Sequence, residues 1–196
     1  RLASDHIREA IFGYQAEALF AETKQLHIVA CGTSYHSGLV AKYWIEEYAN
    51  VPCQVEVASE YRYRKVPVPA GTLFITISQS GETADTLAAL RKAKESNYLG
   101  FVAICNVANS SLVRESNISL MTMAGVEVGV ASTKAFTTQL VALILLILKV
   151  GVTQKRMTNE QLNTLLSELH QLPGQLYASL NLDAPIKTMS ESFEDK

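Results

Sequence analysis

An apolar run, a hydroxyl-rich turn and a helical pattern follow one another in residues 73–94. This stretch constrains the fold more than any other. Residues 73–77 are apolar, residues 78–83 read SQSGET, and residues 84–94 have a helical pattern. The first turn of a helix has about four backbone N–H groups without a partner inside the helix. The helix dipole adds roughly half a positive charge at that end, so an anion can bind there without a neighbouring cation.

This turn has two interpretations. The hydroxyl groups of Ser78, Ser80 and Thr83 and the amide of Gln79 are suitable hydrogen-bond partners for a phosphate. Gly81 is expected to remove a Cβ where a ligand approaches the backbone. Alternatively, a serine before a helix and a Gly-Glu pair at its start are ordinary capping chemistry. The turn alone does not decide between a phosphate site and a helix cap.

The composition excludes several classes of partner. The chain of 196 residues is long enough for one well-filled domain, and 48% of its residues are hydrophobic. The formal net charge is −2, so neither nucleic acid nor an anionic membrane is the expected partner. The longest apolar run, residues 140–148, is about half as long as a bilayer span, and we expect no membrane anchor.

Cysteine and histidine positions predict neither disulfides nor a metal site, and no cofactor is predicted. Cys31, Cys53 and Cys105 are odd in number and widely separated, which is typical of reduced thiols in a cytoplasmic protein. Cys31 lies beside a candidate loop and is either a reactive thiol or, as free cysteines commonly are, a small buried residue. The four histidines have no metal-ligand spacing with each other or with the cysteines.

Short apolar segments alternate with helical patterns along the chain. Strands are predicted at residues 26–30, 54–57, 73–77, 100–105 and 118–123, and the main helices at residues 5–24, 35–48, 83–96, 133–150 and 158–180. Gly151 is expected to end the fourth of these helices, and Pro173 to kink or split the last. The polar tail from Asn181 is predicted to be a linker. The chain starts without Met and inside a helical pattern, as expected of a piece of a longer protein.

This alternation predicts a parallel sheet covered by helices on both faces. We predict a three-layer, doubly wound α/β fold with five parallel strands in the flavodoxin-like order 2-1-3-4-5. Ligands bind at the carboxyl ends of strands beside the switch point of such a sheet, here between the first and third strands. The loops at residues 31–34 and 78–83 follow these two strands. They are expected to face one crevice, which favours the phosphate site over the helix cap.

The crevice is predicted to bind a phosphate monoester, because its two loops carry hydroxyl groups and no Lys or Arg. The pattern is not a P-loop, since no Gly-Lys-Ser/Thr follows Gly81, and it is not a dinucleotide fingerprint, since Gly32 stands alone. Thr33 and Ser34 have the alternative role of plain helix caps.

A third loop, residues 129–134, also enters a helix, but Ser132 is a good N-cap by itself. Glu82 and Glu127 have the chemistry of an acid or a base, yet neither has an obvious partner in the sequence. Lys134 opposes the helix dipole, which indicates an anionic partner, most simply in a salt bridge. The helix that follows is apolar on all sides over residues 140–148, and such a helix is buried all round. We therefore predict that a second copy of the chain or a second lobe packs on it.

Several motifs resemble those of the sugar isomerase, or SIS, family. They are CGTSYHSG at residues 31–38 and SQSGETADT at residues 78–86. More narrowly, ASEYRYR at residues 58–64, AICNV at 103–107, SSLVRE at 110–115 and GVASTKAFT at 129–137 resemble the isomerase half of the glucosamine-6-phosphate synthase family. The resemblance runs from about residue 6 to residue 151 and weakens after it.

The resemblance implies a sugar phosphate, fructose 6-phosphate or glucosamine 6-phosphate, as the ligand. It assigns the phosphate to the turn after the third strand, the sugar to Thr33 and its neighbours, and the far side of the site to the loop before the long apolar helix. The implied substrate-binding residues are Cys31, Gly32, Thr33, Ser34, Ser78, Gln79, Ser80, Thr83, Val130 and Ser132.

The resemblance also implies a division of the chain. Residues 1–151 are expected to form the SIS sugar-phosphate-binding domain, and residues 152–196 a C-terminal helix and a linker towards a second SIS lobe. The family also has a glutaminase domain, and its catalytic Glu, Lys and His come from the second lobe and a neighbouring subunit. No position of this sequence matches them. We therefore expect a homodimeric parent and no catalytic residue in this chain.

Three functions stay open at this point. The chain is either the binding lobe of an aminotransferase that makes glucosamine 6-phosphate from fructose 6-phosphate and glutamine, a non-catalytic SIS module that senses a sugar phosphate in a regulator, or a free-standing sugar-phosphate isomerase. The motifs at residues 58–64 and 129–137 favour the first.

Overall fold

One parallel sheet forms the centre of the molecule. The computed structural model describes residues 11–13, 15–129 and 131–194. The strands among these residues are β1 (Gln25–Ala30), β2 (Cys53–Val57), β3 (Thr72–Ser78), β4 (Gly100–Cys105) and β5 (Ile118–Met121). They lie in the order β2-β1-β3-β4-β5, and every neighbouring pair is parallel. The predicted doubly wound α/β fold with strand order 2-1-3-4-5 is confirmed.

Helices cover both faces of this sheet and complete three layers. On one face lie α1 (Ala16–Glu22), α2 (Gly32–Ala49) and α6 (Lys134–Thr153), and on the other α3 (Ala58–Tyr61), α4 (Ala84–Ala93) and α5 (Ser111–Arg114). The chain ends with α7 (Asn159–Ser179), which packs on α6, a 3-10 turn (Leu180–Leu182) and α8 (Asp183–Glu191).

The two faces of the sheet have separate apolar cores, because successive side chains of a strand point to opposite sides. Ile28 and Ile75 face α2 and α6, whereas Val29 and Phe74 face α4. Five of the six residues of β1 and all seven of β3 are buried, as expected for central parallel strands. The edge strands β2 and β5 are less buried.

Several predicted boundaries differ from the structure. Residues 5–10 and Tyr14 of the predicted first helix lie outside the described residues, as do residues 1–4. α6 continues through Gly151, where a Cβ would approach the Tyr48 carbonyl oxygen to 3.4 Å, so the glycine serves close packing on α2 and does not end the helix. α7 runs through Pro173 without interruption. The tail from Asn181, predicted to be a linker, is largely helical and fully exposed over the residues that the structure describes.

The long apolar helix α6 is covered by the chain itself. By length and composition it is sufficient to cross a membrane, but 67% of its apolar window is buried inside the fold, as in a core helix. It contacts the sheet, α1, α2 and α7. Helices of the same chain therefore explain the all-round apolar pattern that suggested a second copy or a second lobe. Dimer formation stays a prediction.

Candidate functional site

The two predicted loops begin side by side at the carboxyl edge of the sheet. β1 and β3 are neighbours, and Ala30 at the end of β1 pairs with Ile77 near the end of β3. β2 lies beyond β1 and β4 lies beyond β3, so the strand order reverses between them. The loops at residues 31–34 and 78–83 therefore flank the switch point of the sheet, where doubly wound proteins bind ligands.

The helix after the first loop starts earlier than predicted. α2 begins at Gly32, so Thr33 and Ser34 lie inside its first turn and are not its N-caps. The N-cap is Cys31, whose backbone is extended and whose side chain makes no capping hydrogen bond. Gly32 is exposed and has a positive φ of +56°. Cys31 is half-buried against the core on the α4 side, which leaves its two interpretations open.

Ser78 holds the second loop together from the inside. Its side chain is buried, and its Oγ accepts a hydrogen bond from the Gly81 N–H at 3.0 Å. The same Oγ lies 3.0 Å from Oγ1 of Thr83. Ser80 Oγ accepts from the Glu82 N–H at 3.1 Å. The hydroxyl groups thus shape the turn, while the side chains of Gln79, Ser80 and Thr83 stay partly exposed.

Gly81 is required by the packing of the loop. Its φ is +69°, and a Cβ added there would lie 2.1 Å from Oγ of Ser110 and 2.7 Å from Sγ of Cys105. The residues before α5 therefore occupy the space that the sequence analysis reserved for a ligand. α5 itself also contacts the loop, because the Leu112 N–H donates to the Gly81 carbonyl at 3.1 Å.

Glu82 serves as a cap for α5. Its Oε1 accepts a hydrogen bond from the Ser111 N–H at 2.7 Å. This bond lowers the pKa of Glu82, and the nearby guanidinium groups of Arg114 and Arg91 lower it further. The carboxylate therefore stays ionised at neutral pH and is engaged in holding the loop against α5.

The N-terminus of α4 is not capped by its own N-cap side chain. Thr83 is the N-cap residue, but its hydroxyl contacts Ser78 and makes no capping hydrogen bond. The first helical hydrogen bond runs from the Leu87 N–H to the Thr83 carbonyl at 3.0 Å, so the preceding N–H groups have no partner within the helix. Asp85 in the first turn pairs with Arg62 at 2.6 Å. The hydroxyl groups of the loop therefore do not cap α4, although they hold the turn in shape, and the phosphate site stays a prediction.

The third loop differs from this pattern. Oε2 of Glu127 accepts from the N–H groups of Ala135 at 3.1 Å and Thr133 at 3.3 Å, and these bonds lower the pKa of Glu127. Ser132 was predicted to be the N-cap of α6, but the N-cap is Thr133. The charge of Lys134 lowers the pKa of Glu127 further, so this carboxylate is the anionic neighbour expected for Lys134. Val130 lies outside the described residues.

Gln139 of α6 reaches the first loop and was missed by the sequence analysis. Its Nε2 donates to Ser34 Oγ at 2.9 Å, which places the second turn of α6 beside the first turn of α2. The residue is 1% exposed. The signal that could have revealed it was an amide side chain directly before the apolar run of residues 140–148.

A cleft of about 560 Å³ opens between the second loop and the segment that follows β5. Gln79, Asn106, Met123 and Glu127 are among the residues that line it. Asn106 at the end of β4 organises this segment, because its Nδ2 donates to the Gly125 carbonyl at 2.7 Å and its Oδ1 accepts from the Ala124 N–H at 2.7 Å.

Comparisons with known proteins identify the family of the chain. The SIS domain profile matches residues 19–149. The chain belongs to the SIS domain family. It is 58% identical over all 196 residues to the glutamine–fructose-6-phosphate aminotransferase (isomerizing) of Pseudomonas aeruginosa, and it spans 32% of that protein's length. It is 55% identical over 195 residues to the enzyme of the same name from Francisella tularensis, again spanning 32% of its length.

A solved structure shows the same arrangement for this SIS chain. The C-terminal domain of glucosamine-fructose-6-phosphate aminotransferase from Francisella tularensis superposes with a TM-score of 0.95 at 55% identity. The match covers the whole of this chain and 55% of that chain. The SIS fold and the narrower resemblance to these aminotransferases are therefore confirmed, while the chain spans about a third of the length of the curated relatives.

Proposed function

We propose that this chain is the sugar-phosphate-binding lobe of the isomerase domain of a glutamine–fructose-6-phosphate aminotransferase. It binds fructose 6-phosphate and glucosamine 6-phosphate in the crevice between the loops after β1 and β3. The parent reaction converts fructose 6-phosphate and glutamine to glucosamine 6-phosphate and glutamate. Identity of 58% along the entire chain supports this assignment over a regulator module or a free-standing isomerase.

One observation carries the proposal: two helices start side by side at the switch point, and neither is capped by its N-cap side chain. The first N–H groups of α2 and α4, which receive no side-chain cap among the described residues, and the helix dipoles favour an anion at this position. A phosphate dianion accepts several hydrogen bonds at once, and bonds to a charged partner contribute about 1.5–3 kcal/mol each. The sugar phosphate therefore binds through its phosphate without a lysine or arginine in these two loops.

The predicted residues have distinct roles in this proposal. Ser80, Thr83 and Gln79 donate to the phosphate together with the first N–H groups of α4, while Ser78 holds their loop in shape. Thr33 and its neighbours Cys31, Gly32 and Ser34 contact the sugar, and Val130 and Ser132 close the far side of the site.

No catalytic residue is assigned to this chain. The two carboxylates beside the site, Glu82 and Glu127, are engaged in capping α5 and α6. We propose that the isomerase chemistry requires a second SIS lobe and that a glutaminase domain supplies the nitrogen. We further propose that the parent is a homodimer.

A binding comparison tests the phosphate site. Glucosamine 6-phosphate, glucosamine and inorganic phosphate are titrated by calorimetry into the 196-residue chain and into the double variant Ser80→Ala/Thr83→Ala. We expect the phosphorylated sugar to bind more tightly than glucosamine and the double variant to lose about 3–6 kcal/mol of binding free energy, the sum of two hydrogen bonds to a charged partner.

The control variant is Thr164→Ala, because this exposed threonine of α7 bonds only to the Glu160 carbonyl among the contacts that the structure describes. It should leave all affinities unchanged. Equal binding of glucosamine and glucosamine 6-phosphate, or unchanged affinity of a folded double variant, would refute the phosphate assignment.

A further inference from the structure

Gln139 is a buried amide in a largely apolar helix, and the phosphate contacts proposed above do not account for it. The residue is 1% exposed. Its Nε2 donates to Ser34 Oγ at 2.9 Å, and its Oε1 lies 3.3 Å from Ser37 Oγ. Burial of an amide costs free energy unless its hydrogen bonds are made, so these contacts fix the side chain against α2.

These hydrogen bonds determine how the Ser34 hydroxyl is oriented. A serine hydroxyl has one proton and two acceptor lone pairs. Ser34 Oγ accepts from Gln139, and Ser37 donates its own proton to the Ser34 carbonyl oxygen at 2.7 Å. Among the contacts of residues 11–13, 15–129 and 131–194, no acceptor for the Ser34 hydroxyl proton is present. Ser34 lies in the first turn of α2, the end of the helix that flanks the crevice, so its hydroxyl proton is available to a ligand oxygen there.

We propose that Gln139 is a positioning residue of the sugar-phosphate site. By donating to Ser34 Oγ, it commits the Ser34 hydroxyl to act as a hydrogen-bond donor towards an oxygen of the bound sugar phosphate. This inference rests on the proposed function, because it requires a ligand oxygen in the crevice. Gln139 touches no ligand in this account and acts through Ser34.

A double-mutant cycle tests the coupling between the two residues. Gln139→Met keeps the length of the side chain and removes the donor, and Ser34→Ala removes the hydroxyl. Calorimetry gives the Kd for glucosamine 6-phosphate of the wild-type chain, both single variants and the double variant. We expect each single change to raise the Kd about two- to tenfold, the range of one neutral hydrogen bond. The double variant should bind no more weakly than Ser34→Ala alone.

A control separates positioning from general destabilisation. Gln154 also uses its amide inside the chain, since Nε2 donates to the carbonyl oxygens of Phe20 at 2.7 Å and Thr23 at 2.6 Å, at the opposite end of α6. Gln154→Met should lower the melting temperature and leave the Kd unchanged. Melting curves of every variant confirm that the protein titrated is folded.

The outcomes distinguish the two proposals. If the wild-type chain binds glucosamine 6-phosphate no better than glucosamine, the proposed function fails and this inference fails with it. If the wild type binds as proposed, two results refute the role of Gln139 alone. One is an unchanged Kd in Gln139→Met, and the other is an equal additional loss when Gln139→Met is introduced into Ser34→Ala.

Discussion

Substitution of Gly81 by alanine should destabilise the loop after β3 for two separable reasons. The first is the backbone, because a φ of +69° costs a non-glycine residue about 1–2 kcal/mol. The second is the side chain, since its Cβ would lie 2.1 Å from Oγ and 2.4 Å from Cβ of Ser110. Overpacking of this kind costs about 1–3 kcal/mol. The free energy of unfolding of Gly81→Ala should therefore fall by about 2–5 kcal/mol in total.

A matched variant isolates the backbone contribution. Gly125 has a similar φ of +73°, but a Cβ there would meet nothing within 4 Å. Gly125→Ala should therefore lose only the backbone contribution, about 1–2 kcal/mol. Adding Ser110→Gly to Gly81→Ala should recover part of the steric cost, although Cys105 Sγ would still lie 2.7 Å from the new Cβ.

Urea denaturation followed by circular dichroism gives the free energy of unfolding of each variant, with a common m-value as the check that the same surface is exposed. If Gly81→Ala loses no more stability than Gly125→Ala, the contact with Ser110 does not constrain the loop and the packing argument is wrong. A Ser110→Gly change that rescues nothing would point to the same conclusion.

Three further changes test other contacts. Burial lowers the pKa of His27 below its ordinary value of 6.5, so the unfolded chain binds more protons below that pH and the free energy of unfolding should fall on acidification. Urea titrations at pH 7 and pH 5 should show a smaller fall of this free energy in His27→Gln than in the wild type. An equal fall in both proteins would contradict the argument. Glu82→Gln keeps an acceptor for the Ser111 N–H and removes a negative charge, so calorimetry should show that it binds glucosamine 6-phosphate at least as tightly as the wild type. Glu82→Ala removes the acceptor as well and should bind this ligand more weakly. Equal affinities of the two variants would contradict the capping role. Thr158 and Gln161 form a capping box at the start of α7, and Thr158→Ala should cost about 1 kcal/mol in urea denaturation, a loss that the exposed control Thr164→Ala should not show.

The sequence predicts the sheet well because each strand is a local pattern. β3 was predicted at residues 73–77 and spans Thr72–Ser78, and β4 has the predicted bounds. Parallel strands buried on both faces are continuous apolar runs, which can be recognised without knowledge of their neighbours. The strand order then follows from the short right-handed connections, and the position of the two loops follows from the strand order.

The details of the site depend on residues that are distant in sequence. The space beside Gly81 is filled by Ser110, and the start of α6 is capped by Glu127 from across its loop. Neither contact has a local pattern. The local sequence pattern therefore predicts a ligand beside the glycine and a cap from Ser132, the nearest suitable side chain.

The burial of α6 shows the same limit at a larger scale. Its apolar surface on all sides correctly indicates complete burial, but periodicity cannot show what provides the cover. In the structure the cover comes from α1, α2, α7 and the sheet, and Gln139 is the amide by which the helix contacts the first turn of α2. The apolar pattern does not show how many helices of the same chain pack on α6, and a second copy or lobe was therefore predicted.

The helix starts at the carboxyl edge of the sheet bear on the proposed anion site. The N-terminus of α5 receives the carboxylate of Glu82, and that of α6 receives the carboxylate of Glu127. The same electrostatic attraction acts at α2 and α4, yet the N-cap side chains Cys31 and Thr83 make no capping hydrogen bond. Capped helix starts, those of α5 and α6, and helix starts without a side-chain cap, those of α2 and α4, thus lie along the same edge of the sheet. The start of α3 also lacks a side-chain cap, so the missing caps support the proposed anion site only together with the position of α2 and α4 at the switch point.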